Sequence, residues 1–159
     1  MDPKDLDLLR SAIEIARRSR EHGNHPFGAL LVDGAGTVRL EAENTVVTGR
    51  DCTGHAETNL MRKASQAFER EFLANCSLYT SAEPCAMCAG AIYWGSVGRV
   101  VFAVSEAQLL EMTRANPENP TLSLPCREVF ARGQRPVQVE GPAPELETEG
   151  KAVHLGFWG

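Results

Sequence analysis

Segments with the pattern of buried strands alternate along this sequence with segments of helical period. Apolar runs rich in β-branched residues predict strands at 27–33, 37–47, 77–81, 99–104 and 137–139. Helical spacing of apolar residues predicts helices at 5–21, 55–67, 85–94, 105–114 and 143–155, and a proline-rich stretch predicts a loop at 116–127. This alternation favours an α/β fold in which helices cover both faces of one sheet.

The length of the chain and its charge restrict both its organisation and its partners. The 159 residues fit one domain, 1–159, and a hydrophobic fraction of 43% is ordinary for a globular protein. The formal net charge is −5. Because affinity for phosphate backbones comes from lysine and arginine, this charge argues against nucleic acid as the main partner.

The N-terminus and the cysteine content indicate a cellular compartment. The acidic start at 1–5 is followed by no apolar stretch, so we expect no signal peptide. No window approaches the roughly 20 apolar residues that span a bilayer, so we expect no membrane partner and a cytoplasmic location. The chain has five cysteines, an odd number, which in a reducing compartment points to metal binding or chemistry rather than to disulfides.

Two short segments carry the residue types of a catalytic metal site: HAE at 55–57 and PCAMC at 84–88. At the start of a helix, Cys85 and Cys88 would share one face and could bind one zinc ion, and the helix dipole would favour their thiolates. A CxxC pair alone also occurs in redox proteins. Adding His55 gives three protein ligands and leaves the fourth zinc position to water, which is the catalytic pattern rather than the structural one.

Glu57 is the candidate catalytic residue. Because it stands two residues after a ligand histidine, its carboxylate can lie beside the metal without being a ligand. There it could take a proton from water and hand it to a leaving amine, acting first as base and then as acid. The HxE and PCxxC arrangement is the known signature of zinc nucleobase deaminases.

These motifs resemble those of the cytidine deaminase-like superfamily, and within it the sequence is most similar to bacterial guanine deaminases. PFGA at 26–29 and YTSAEPCAMCAGAIYW at 79–94 are similar to guanine deaminase segments, and Asn44 stands where the family holds the substrate ring. The resemblance implies a three-layer α/β/α fold with a mixed five-stranded sheet, one zinc ion per chain and a homodimer. It also implies deamination of a free nucleobase or nucleoside, guanine or a related ring, with substrate contacts expected from Phe27, Asn44, Ala56, Glu83 and Trp94.

The resemblance to guanine deaminases fails in two places. Where they carry an aspartate that accepts hydrogens of guanine, a gap-free alignment places Asn116 here. An amide donates as well as accepts, so we expect wild type to prefer another amine and Asn116→Asp to shift activity toward guanine. Where guanine deaminases end in a tyrosine that closes the pocket, this sequence has GFWG at 156–159. Its aromatic pair resembles fungal cytosine deaminases, and we expect Phe157 and Trp158 to line the substrate pocket.

Three further functions are compatible with the sequence alone. A transfer-RNA adenosine deaminase shares the zinc motif, although the acidic segment 145–149 argues against it. The second is a cytosine deaminase, and the third is a non-catalytic interaction protein that zinc stabilises.

The remaining histidines and cysteines lack the spacing of metal ligands. We expect surface or capping positions for His22, His25 and His154 and small buried positions for Cys52, Cys76 and Cys126.

Overall fold

A computed structural model describes residues 1–114 and 116–159. The strands are β1 (Gly28–Val32), β2 (Val38–Glu43), β3 (Ser77–Ala82), β4 (Arg99–Val104) and β5 (Gln138–Glu140). The helices are α1 (Pro3–Glu21), α2 (Ala56–Ala67), α3 (Arg70–Ala74), α4 (Ala86–Trp94), α5 (Glu106–Thr113), α6 (Cys126–Ala131) and α7 (Glu147–Ala152), the last preceded by a 3₁₀ turn, Pro144–Leu146.

The strands form one mixed sheet in the order β2-β1-β3-β4-β5. β1 runs antiparallel to both β2 and β3, whereas β3, β4 and β5 are parallel to one another. The predicted mixed five-stranded sheet is therefore confirmed. The parallel strands bring the carboxyl ends of β3 and β4 to one edge of the sheet, and the loops that follow them reach the functional site.

Helices cover both faces of this sheet, as the alternating pattern predicted. On one face, α2, α4 and α6 pack on side chains such as Leu31, Leu78 and Phe102. On the other face, α1 packs on the alternate strand residues, among them Leu30 and Val101. Each apolar strand residue thus contributes to one of two cores, which accounts for strands that are apolar without interruption.

Helix α1 lies directly against the first strand because Gly28 has no side chain. A Cβ atom at this position would stand 2.5 Å from the carbonyl oxygen of Ala12 in α1. The glycine of the PFGA segment therefore sets the distance between helix and sheet, and Phe27 just before it lies at the edge of the site.

The structure differs from the expected elements in short helices. The sequence analysis missed α3, and α6 begins at Cys126, inside the stretch expected to be a loop. The final helix is shorter than 143–155 because a 3₁₀ turn precedes it and the tail beyond α7 folds back on the protein. Among the described helices, none is both long and apolar enough to cross a membrane.

Candidate metal centre and active site

His55, Cys85 and Cys88 come together at the starts of two helices. His55 is the N-cap residue of α2 and Cys85 that of α4, and Cys88 lies in the first turn of α4. Nδ1 of His55 lies 3.5 Å from the Sγ atom of each cysteine. In the part of the chain that the structure describes, this is the one group of potential ligands whose atoms all lie within 4.8 Å of one another.

The hydrogen bond between the two thiols changes the pKa of each of them. The pKa of the Cys85 thiol lies well below its usual range because Cys88 donates a hydrogen bond to it, whereas the pKa of Cys88 is raised. A thiolate, a second thiol and an imidazole are the ligand types that zinc prefers in a site with an open position. The residues present therefore fit the zinc ion that the sequence predicts.

We expect one zinc ion per chain in protein purified without added metal. Elemental analysis by mass spectrometry checks this stoichiometry, and Cys88→Ser should bind markedly less zinc because it removes a thiolate ligand. Cys76→Ser is the matched control, since Cys76 is also buried but bonds only the carbonyl oxygen of Phe72. Native protein without stoichiometric zinc would contradict the prediction.

Glu57 lies beside the cluster, buried in the first turn of α2. The Thr80 hydroxyl on β3 donates a 2.6 Å hydrogen bond to its Oε1 atom. Burial raises the pKa of Glu57 above its ordinary value, although this bond from Thr80 acts in the opposite direction. A carboxyl with a raised pKa that is held in place but is not a ligand can both accept and donate a proton at neutral pH.

The ligands open onto a cavity of about 350 Å³. His55, Glu57 and Cys85 lie in its wall, and the wall also includes Phe27, Asn44 and Glu83 from the expected substrate contacts. Oδ1 of Asn44 accepts a hydrogen bond from the Val46 N–H at 2.9 Å, which orients the amide and leaves its NH₂ group available. A small and mostly apolar pocket with a few polar groups is typical of sites for single small molecules.

The other expected substrate contacts do not line this cavity. Ala56 is fully buried in α2. Trp94, at the end of α4, is 85% exposed and borders a separate surface groove. Phe157 and Trp158 lie one layer behind the cavity, packed against His25 and Phe27.

Asn116 has a different contact from the one that the alignment predicted. Its Nδ2 atom donates a 2.6 Å hydrogen bond to the carbonyl oxygen of Trp158, and its Oδ1 atom accepts one from the Glu118 N–H at 2.8 Å. Both ends of the amide therefore connect the 116–122 loop to the C-terminal tail. One N–H and one acceptor site of the amide are therefore used within the protein, and the substrate contact that the alignment suggests stays a prediction.

Two histidines that were expected at the surface are buried. His25 lines the cavity, and its Nε2 atom lies 3.2 Å from the Glu118 carboxylate. His154 accepts a hydrogen bond from the Trp158 indole at 3.1 Å, and burial lowers its pKa to about 4, so that it is neutral at neutral pH. Cys52 is exposed at the cavity mouth rather than buried, whereas Cys76 and Cys126 are buried as predicted.

The sequence analysis missed Glu106, the first residue of α5, which lines the cavity. Burial raises the pKa of its carboxyl to about 8, and the negative charges of Cys85 and Glu83 contribute. The sequence does carry a signal for the start of this helix, because Ser105 and Gln108 form a capping box. Nothing in that signal shows that the next side chain borders the same cavity as Glu57.

Comparison with known proteins agrees with this geometry. The family profile for the cytidine and deoxycytidylate deaminase zinc-binding region matches residues 2–104. A probable cytosine deaminase of Schizosaccharomyces pombe is 39% identical over 158 residues, covering 99% of this chain and 94% of that protein. The guanine deaminase of Bacillus subtilis is 41% identical over 106 residues, which is 65% of this chain and 67% of that protein.

Solved structures show the same architecture. A guanine deaminase from Nitrosomonas europaea superimposes with a TM-score of 0.76 at 25% identity, covering 96% of this chain and 82% of that one. The match of the family profile includes His55, Glu57, Cys85 and Cys88, the residues that the structure brings together. The chain therefore belongs to the cytidine and deoxycytidylate deaminase family, the zinc-dependent hydrolases that replace a ring amino group with oxygen.

Proposed function

We propose that this protein deaminates a small aminated nucleobase, taken as the free base, and releases ammonia. The observation that carries the proposal is the position of Glu57, buried against the His55, Cys85 and Cys88 cluster at the wall of a 350 Å³ cavity. The cavity size favours a single ring system, because pockets for drug-sized ligands start at about 300 Å³.

The chain's own residues supply binding and proton transfer. Zinc, when held by His55, Cys85 and Cys88, supplies Lewis-acid chemistry that makes water a nucleophile near neutral pH. Glu57 takes up the proton that this nucleophile loses and delivers it to the leaving amino group, so that ammonia departs uncharged. Asn44 offers its NH₂ group to an acceptor atom of the ring, and the Phe27 side chain contributes apolar surface to the wall.

The charges at the cavity favour a free base over transfer RNA. The wall includes four glutamates, at positions 57, 83, 106 and 118. The exposed Glu118 carboxylate and the net charge of −5 on the whole chain disfavour a phosphate backbone. A neutral base meets no such repulsion.

Guanine and cytosine are the two leading substrates. Guanine is favoured by the N. europaea and B. subtilis proteins, both guanine deaminases. Cytosine is favoured by the S. pombe relative, a probable cytosine deaminase, because that match extends over 99% of this chain.

An ammonia-release screen tests the proposal. The substrates are guanine, cytosine and adenine, their nucleosides, triazine amines and an RNA stem-loop, each with zinc-replete protein. We expect turnover of at least one free base and none of the stem-loop. Turnover of the stem-loop alone supports a transfer-RNA deaminase instead, and inertness toward every amine supports a non-catalytic zinc protein.

We also propose that the protein is a homodimer and that Trp94 lies in the interface. Its indole is 85% exposed beside a groove lined by Met61 and Ala91. Large aromatic rings are enriched in protein interfaces, where an apolar ring gains most from burial.

Replacing Trp94 by a charged residue is therefore expected to weaken the dimer. We expect wild type to elute with the mass of a dimer in size-exclusion chromatography with light scattering, and Trp94→Glu to elute as a monomer. Leu155→Glu, at a side chain that is 70% exposed in the C-terminal segment, is the control and should remain dimeric. A monomeric wild type, or a Trp94→Glu dimer of unchanged strength, contradicts the proposal.

A further inference from the structure

Glu106 carries a buried carboxyl oxygen that no described residue hydrogen-bonds. The residue is 6% exposed, and its Oε2 atom has no hydrogen-bond partner among the described residues. Its side chain borders the same cavity as Glu57 and Cys85. Unpaired buried polar groups are uncommon in folded proteins, so this carboxyl calls for an explanation.

The stability of helix α5 does not explain why a carboxyl is buried at position 106. The start of α5 is already capped, since Ser105 and Gln108 form a reciprocal capping box. The backbone N–H of Glu106 donates a 3.0 Å hydrogen bond to Oε2 of Glu83, so this helix end has an acceptor without the Glu106 side chain. Burying an unpaired carboxyl costs stability, which indicates that Glu106 is present for a ligand rather than for the fold.

Several other acceptor atoms of the cavity wall are already engaged. Oδ1 of Asn44 accepts from the Val46 N–H, Oε1 of Glu57 accepts from Thr80, and Oε2 of Glu83 accepts from Glu106. Nε2 of His25 faces the Glu118 carboxylate. Glu106 therefore holds free acceptor capacity at the wall of the cavity, and a carboxyl offers at least one acceptor oxygen in either protonation state.

We propose that Glu106 is a specificity-determining residue whose carboxyl accepts a hydrogen bond from a ring N–H of the substrate. This inference rests on the proposed deamination of a free base. It narrows the substrate class to aminated rings that carry a ring N–H which can reach Glu106, such as the N1–H of guanine or the N1–H of free cytosine. Rings that lack this N–H, such as 2-aminopurine and 1-methylcytosine, leave the buried carboxyl unpaired and bind more weakly.

The test measures binding rather than turnover, in protein that carries Glu57→Gln so that bound bases are not consumed. Dissociation constants from calorimetry are compared for guanine against 2-aminopurine and for cytosine against 1-methylcytosine. In at least one of the two pairs, we expect the base with the N–H to bind roughly 10- to 100-fold more tightly than its analogue. Hydrogen bonds to charged or buried groups change affinity by about this factor. Adding Glu106→Met should abolish most of this preference by weakening binding of the N–H-bearing base.

Two further variants separate ligand recognition from a structural role. Glu106→Gln keeps an acceptor oxygen and should retain part of the preference, whereas Glu111→Gln, at an exposed position of the same helix, should retain all of it. Because methionine leaves no unpaired carboxyl, the Glu106→Met protein should unfold at a temperature no lower than its parent.

Two results overturn the inference. One is equal binding of both members of each pair before Glu106 is changed, and the other is an unchanged preference in Glu106→Met. Both results come from binding measurements and do not depend on catalysis. Failure of the proposed function is seen in a different experiment, in which wild type releases no ammonia.

Discussion

Replacing Glu57 by glutamine is expected to lower kcat by about 10²–10⁴-fold, at or beyond the upper end of that range. Glutamine keeps the size of the side chain and can still accept the Thr80 hydrogen bond, which is 2.6 Å long in wild type. It can neither take up nor deliver a proton. Because one carboxylate serves as base and then as acid, its loss affects both proton transfers.

Steady-state kinetics on the best substrate of the ammonia screen measure this loss. Zinc content and the unfolding temperature of the Glu57→Gln protein should match those of wild type, because Glu57 lies outside the ligand cluster. Glu111→Gln serves as the control for removing one negative charge from an exposed site and should keep full activity. A Glu57→Gln enzyme with half of the wild-type rate shows that another group transfers the protons.

The sequence was sufficient to predict the metal centre because its determinants are local. His55 and Glu57 are two residues apart at the start of α2, and Cys85 and Cys88 are three apart at the start of α4. Helix geometry indicates that Cys85 and Cys88 can meet at one ion, and the resemblance to zinc deaminases, rather than spacing, indicates that His55 joins them. The mixed sheet between two helical layers was equally predictable, because its strands carry strong apolar patterns.

The rest of the site depends on contacts between segments that are distant in sequence. Asn116 and Glu118 lie in a loop without a periodic pattern. Asn116 bonds the carbonyl oxygen of Trp158, and the Glu118 carboxylate lies 3.2 Å from Nε2 of His25. A gap-free alignment could not show that the C-terminal tail folds back onto this loop and bonds the Asn116 amide. Glu106 was missed for the same reason, since its neighbours in the cavity come from other elements.

The C-terminal tail supports the cavity from behind. The Trp158 side chain is only 7% exposed, although it is the penultimate residue of the sequence. Its ring packs edge-on against His25 with centroids 5.1 Å apart and lies 6.1 Å from the Phe27 ring. Because His25 and Phe27 line the cavity, Trp158 helps to hold the wall that a substrate contacts.

Trp158→Ala is therefore expected to reduce both stability and substrate binding. Truncating a buried tryptophan costs about 3–5 kcal/mol, and we expect about 3 because a chain end can relax. For a chain of this size, that loss lowers the unfolding temperature by about 6–12 °C. KM should rise while kcat changes less, because the rings that Trp158 contacts, His25 and Phe27, form the cavity wall. Calorimetry and steady-state kinetics measure the two effects.

Two variants in the same segment distinguish packing from polar bonding. Leu155→Ala, at an exposed side chain, should leave both stability and KM unchanged. Trp158→Phe keeps an aromatic ring against His25 but cannot donate to Nδ1 of His154, a bond of 3.1 Å in wild type. If the ring itself supports the wall, the unfolding temperature and KM of Trp158→Phe should lie closer to those of wild type than to those of Trp158→Ala. The proposed support of the cavity wall by Trp158 is refuted if Trp158→Ala is as stable as wild type and has the same KM. The buried indole would then contribute nothing to the wall that it contacts.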